Sequence, residues 1–244
     1  MFKKVTKIAL AGVIGVGTLV GSSSLASADL AAEYNSKANI NFTENNEITK
    51  PVDPENPDKE VEPEIDPDGK DPIDPGTKGP LSIDYASHIN FGEVMISGNA
   101  ETYYANPVKV SYGDQTVDRA PYVQITDNRG TKAGWDLQVT QVAEFKNGES
   151  ELTGSKLSLT NPIHNSMNSL DGVNNQDIVF DNKGQAYPVM DAEAGNGAGT
   201  HTNRFGEIID GKATSVSLEV PGDLSIEEGK YSTDLKWELL DTPK

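Results

Sequence analysis

The side chains best able to do chemistry in this chain are three histidines, 38 acidic residues and two tryptophans, and cysteine is absent. His88, His164 and His201 stand too far apart in sequence for the paired spacing of a zinc site, so each reads as an isolated surface or loop residue. Without cysteine there is no thiol nucleophile and no cysteine to carry a lipid after the signal. Serines are abundant, yet no Gly-x-Ser-x-Gly elbow occurs. Glycoside hydrolysis needs two placed carboxylates, one with a raised pKa. With so many acids pairs are easy to draw, and none falls in an aromatic-rich run that resembles a cleft. The run Gly195-Asn196-Gly197-Ala198-Gly199 lacks the Lys-Ser/Thr and the strand–helix setting of a phosphate loop and reads as a flexible connection. Asp66-Pro67-Asp68-Gly69-Lys70-Asp71 departs from a calcium loop in its spacing and its prolines. These residues predict no enzyme, no cofactor and no metal site.

Binding chemistry is better represented. Both tryptophans fall in a Trp-x-Leu triplet, Trp135-Asp136-Leu137 and Trp237-Glu238-Leu239, some 100 residues apart. On a strand, residues two apart share a face, so each Trp lies beside its Leu. Turned inward, each side chain would contribute about 2–3 kcal/mol of burial. Turned outward, an indole could stack on a sugar ring or a protein partner. From the residues alone, Trp135, Leu137, Trp237 and Leu239 are candidates both for the core and for the binding surface. Tyr103, Tyr104 and Tyr112 carry the same two readings, half-buried strand tyrosines or a glycan or protein contact.

The elements that must position these residues are strands. After Pro80 the sequence alternates apolar and polar residues in short runs divided by Gly, Asn and Asp, the pattern of a sandwich or barrel. Tyr122 to Thr126 alternates and stops at Asp127-Asn128-Arg129-Gly130. Trp135, Leu137 and Val139 share a face, as do Val216, Leu218 and Val220. The last run puts Tyr231, Thr233, Leu235, Trp237 and Leu239 together. No stretch has comparable helical periodicity. The prediction is an all-β chain with one β-sandwich-like domain of two sheets over residues 80–244.

Upstream the composition changes. Lys3, Lys4 and Lys7, the apolar run Ile8 to Val20 and Ala26-Ser27-Ala28 read as a secretory signal peptide over 1–28, too short in its apolar part for a transmembrane anchor. Residues 29–79 read as a polar N-terminal segment, with one possible short strand over Asn39 to Thr43, followed by an acidic, proline-rich linker. Proline removes backbone donors and like charges repel, so this linker is expected to be disordered and extended, reaching about 90 Å at roughly 3.1 Å per residue. No sortase-type motif or hydrophobic tail closes the chain. The net charge is −18, and removing the three lysines of the first 28 residues, which hold no acid, takes it to −21. Such a surface excludes nucleic acid as a ligand and offers no general attraction to anionic wall polymers.

From Pro80-Leu81-Ser82-Ile83-Asp84-Tyr85-Ala86 and Phe91-Gly92, through Val123 to Gly130 and Gly134-Trp135-Asp136-Leu137, to Tyr231 through Pro243, the layout resembles the WxL surface-domain family. That resemblance implies noncovalent attachment to the cell wall of a Gram-positive bacterium through peptidoglycan. It also implies residence at the cell surface and partnership with other surface proteins of a WxL-type complex. Some such complexes are implicated in adhesion to host matrix proteins. The alternative open at this point is an adhesin or assembly subunit whose main ligand is a protein.

Overall fold

The computed structural model describes residues 30–63 and 75–241. The expected signal peptide and residues 64–74, which include the Asp66–Asp71 segment, lie outside them. In chain order, the proline-rich stretch holds β1 (Val52–Asp53), β2 (Asn56–Glu60) and β3 (Glu62–Pro63). There follow β4 (Leu81–Ala86), β5 (Glu101–Ala105), β6 (Val108–Tyr112), β7 (Gln115–Arg119), β8 (Tyr122–Asp127) and β9 (Trp135–Gln141). The middle of the chain forms β10 (Lys146–Asn147), β11 (Ser150–Glu151), β12 (Lys156–Leu159), β13 (Pro162–Ser166), β14 (Val173–Asn175) and β15 (Ile178–Val179). The end of the chain supplies β16 (Ala186–Ala192), β17 (Gly199–Phe205), β18 (Ile208–Ile209), β19 (Lys212–Val220) and β20 (Leu235–Leu240).

The all-β class holds, and three sheets rather than two enclose the main core. One has the order β13-β17-β8-β4 and another β14-β16-β9-β20. The third runs β15-β12-β19-β5, with the short β18 pairing the start of β19 on the side away from β5. Alternation dictates what each sheet turns inward: Val123 and Ile125 from β8, Trp135, Leu137 and Val139 from β9, Leu157 and Leu159 from β12, Val216 from β19. Among the described residues, no helix is long and apolar enough to cross a membrane.

The expectation of a disordered linker fails for residues 50–63, which form an ordered strap. Its acids and prolines cannot build a core alone, but Val61 packs with Tyr85, Val110 and Tyr122 in a second small cluster. Asp53, 1% exposed, takes a two-pronged contact from Arg119 at 2.7 Å on each oxygen. Pairing of β3 with β6 fixes the far end of the strap. Residues 30–49, by contrast, form no strand, and Ile40 and Phe42 of the possible strand there are exposed.

The strap explains why all six residues of β8 are buried although they alternate in polarity. The outward face of β8 presents Gln124 and Thr126. The Gln124 amide accepts from the Val52 N–H at 2.7 Å and donates to the Lys50 carbonyl at 3.0 Å and to Asp84 at 2.9 Å. Thr126 and Ser82 also donate to Asp84, each at 2.6 Å. Burial pushes the Asp84 carboxyl up, and the donors from Ser82, Thr126 and Gln124 pull part of that back. The strap thus completes hydrogen bonds that the sheet could otherwise make only with water.

Asp53→Ala leaves the Arg119 guanidinium without its main partner. Because that side chain is only 15% exposed, the loss should approach the lower end of the range for broken buried pairs, about 3 kcal/mol. Urea unfolding checks the value. Proteolysis under native conditions should then cut first between residues 50 and 63, and a variant as stable and as resistant as the parent would show that the strap contributes nothing.

Candidate functional site

The two Trp-x-Leu triplets, distant in sequence, lie side by side. Strands β9 and β20 are antiparallel neighbours, with Trp237 opposite Val139 and Leu239 opposite Leu137. Paired residues project to the same face, so Trp135, Leu137, Trp237 and Leu239 all point into one core. Trp135 and Leu137 have no exposed surface. Trp237 and Leu239, on the edge strand of that sheet, are half-buried against the same cluster. Trp135 and Leu137 can therefore affect a ligand only through the fold.

A buried indole must still place its N–H. Trp135 Nε1 donates to the Gly197 carbonyl at 2.8 Å. This bond brings the Gly195–Gly199 run down onto the ring, so the run is a tight cover and not the flexible connection its composition suggested. Gly197 has φ 73°, and a Cβ there would meet both Ala192 and the indole nitrogen. Only glycine combines that backbone with that approach.

Neighbouring loops are tied to this cover. The Gly195 N–H donates to the Lys132 carbonyl at 2.8 Å, and the Glu193 N–H to the Gly172 carbonyl at 3.0 Å. Arg129, paired with Asp127 at 2.8 Å, donates to the Gly134 carbonyl at 2.7 Å. The connections before β9, before β14 and before β17 thus form one braced end of the domain, on which Met167 and Leu170 are exposed.

The histidines depart most from the sequence reading. His88 is exposed as expected, but His201 is fully buried and packs against the Trp135 ring with centroids 5.5 Å apart. Its Nδ1 lies 2.9 Å from Nε2 of His164, and its Nε2 lies 3.3 Å from the Ala198 carbonyl. If Nε2–H of His201 serves Ala198, Nδ1 must accept and His164 must donate, so the His201 ring is neutral. Burial, and secondarily the neighbouring His201, lowers His164 to about 4. Burial also lowers His201. The sequence did carry a signal for this pair: His201 and Phe205 share the inward alternation of β17, which a surface reading overlooks.

Of the tyrosines, Tyr103 packs with Leu218 and Val220, and Tyr112 lies beneath the Lys59 ammonium, 4.7 Å from its ring centroid. Tyr104 remains open to solvent at 42% exposure. Among the described residues, no group of three His, Asp or Glu side chains is arranged to hold a metal ion.

The described β strands form an all-β unit built around the paired Trp-x-Leu strands, with a braced loop end above the first of them. The chain belongs to the WxL domain family, described as surface cell wall-binding, whose family model matches residues 29–243. The match takes in the strap as well as the sheets. No curated protein and no solved structure matches the chain.

Two measurements test this geometry. Thermal or urea unfolding should show Trp135→Ala losing about 3–5 kcal/mol and Trp237→Ala clearly less, since only the first empties a sealed site. Equal losses would contradict the difference in burial. The histidine pair makes stability depend on pH. The folded pKa of His164, about 4, lies below the unfolded value of about 6.5. The unfolded chain therefore binds the extra proton between those values, so stability is full above pH 6.5 and declines as pH falls toward 4. Urea midpoints at pH 7 and 5.5 should differ in the parent and differ less in His164→Gln.

Proposed function

We propose that this protein holds itself on the surface of a Gram-positive cell, after secretion, by binding peptidoglycan without a covalent bond and within a complex of surface proteins. The supporting observation is the family match, which runs through the entire β unit and makes it a surface cell wall-binding domain. In this reading the Trp-x-Leu triplets act as the frame: they fix the sheets and the loop end, and other side chains touch the wall. It is a binding module and not an enzyme. With a net charge of −21 once the first 28 residues are removed, attraction to anionic wall polymers does not drive the contact.

The test is sedimentation of the 29–244 chain with purified peptidoglycan freed of teichoic acid. Saturable co-sedimentation is the expected result, and a well-folded protein left entirely in the supernatant would overturn the reading. With whole walls, added salt or magnesium should strengthen retention by screening repulsion between like charges. A steep loss with salt would instead reveal a local basic contact.

One observation favours a second reading, an assembly subunit or adhesin that binds a partner surface protein or a host matrix protein. Val94, Met95 and Ile96 are consecutive and 55%, 90% and 59% exposed. They precede β5, whose side away from β19 pairs with no described strand. Exposed apolar side chains next to an open edge suit strand addition by another protein. Retention on walls only when such a partner is supplied would support this reading over direct attachment.

A further inference from the structure

The sheet that carries β5 has an outward face unlike the others. Its inward side buries Leu157 and Leu218. Its outward side is ordered in cross-strand rows by the register of β12, β19 and β5. Thr102, Glu219 and Lys156 make one row, and Tyr104, Ser217 and Ser158 make the next. The first row lines an open groove of about 340 Å³ at the strand ends, together with Glu101 and Pro221. The second places the exposed Tyr104 ring beside Ser217, with the buried Ser158 one strand further on. The rows are about 7 Å apart along the strands.

We infer that this face binds the neutral glycan backbone of the wall, an N-acetylhexosamine oligosaccharide lying along β5 from the groove to the Tyr104 ring. The inference rests on the peptidoglycan reading and adds both a place and a choice between glycan and stem peptide. The charge decides that choice. Glu101 and Glu219 both line the groove, while its lysine, Lys156, is already 3.3 Å from Asp181. Such a groove repels phosphate polymers and the carboxylates of stem peptides. Sugar hydroxyls and acetamido N–H groups are neutral donors, which a carboxylate accepts in charge-assisted hydrogen bonds. A tyrosine ring offers an apolar platform for a sugar face together with a polar tip. The edge position of β5 leaves room for a chain longer than the groove.

The experiment uses the purified protein with two probes, a hexamer of N-acetylglucosamine and teichoic-acid-free sacculi, and compares Tyr104→Ala, Tyr104→Phe and Glu219→Gln. The hexamer should shift the amide resonances of residues 101–104, 156–158 and 217–219. Tyr104→Ala should weaken binding of both probes at least tenfold without changing the melting temperature, Tyr104→Phe should retain most of it, and Glu219→Gln should lie between. If Tyr104→Ala holds both probes as well as the parent, the groove is wrong and wall attachment stands. If the parent holds sacculi but not the hexamer, the contact is to stem peptide and the glycan assignment falls. If the parent holds neither, attachment through peptidoglycan and this site fall together.

Discussion

An indole with no exposed surface has to give its one N–H to something, and here the acceptor is the Gly197 carbonyl. That single bond orders much else. It requires a residue at 197 with positive φ and no Cβ, and it lays the glycine run across the ring. Through Gly195 and Glu193 it ties in the connections before β9 and β14. Beneath the ring, His201 fills the adjoining space and is held neutral by its own acceptor and by His164. The first Trp-x-Leu triplet is thus a keystone for one end of the domain, while the second, one strand over, closes the edge of the same sheet.

The strap follows a different logic. A sheet between two apolar layers needs no polar outer face, but β8 and β4 present Gln124, Thr126, Ser82 and Asp84 on the side away from the core. Their hydrogen bonds are completed partly among themselves and partly by the backbone at Lys50 and Val52. Polar satisfaction fixes the strap at one end, the Asp53–Arg119 pair follows, and Val61 in the tyrosine cluster secures the other. A segment too acidic to fold alone is ordered by a surface that could not otherwise be dry.

Much of this was legible beforehand because alternation is local. The strands at 122–127, 135–141 and 212–220 contain the runs read from polarity alone. The last strand begins at Leu235 rather than Tyr231, since the backbone at Ser232 pairs with Lys146 instead of with β9. Three features depended on distant partners and so were not legible. Proline and acid content describes what residues 50–63 cannot do alone and says nothing of Tyr85 and Tyr122 waiting for Val61. His201 shows its inward place only once β17 is set against β8. Whether a Trp-x-Leu triplet faces in or out has the same periodicity either way, and only the packing of its sheet against the rest of the core decides it. For the candidate site, the sequence singled out Tyr104 as an aromatic, but the row of hydroxyl and charged side chains beside it comes from three strands far apart in the chain.

The strap also determines how the molecule would carry load. The chain that precedes Lys50 is covalently continuous with the strap, and the Lys50 carbonyl is the first of its backbone groups held by the sheet. A pull on that N-terminal extension therefore reaches the Lys50 and Val52 bonds to Gln124 and the Asp53 pair before any strand of the three main sheets. Those contacts would open one after another, as in peeling, and release slack while the Trp135 core stayed intact. For a protein seated on a cell surface, such a segment is a shock absorber in series with the anchor.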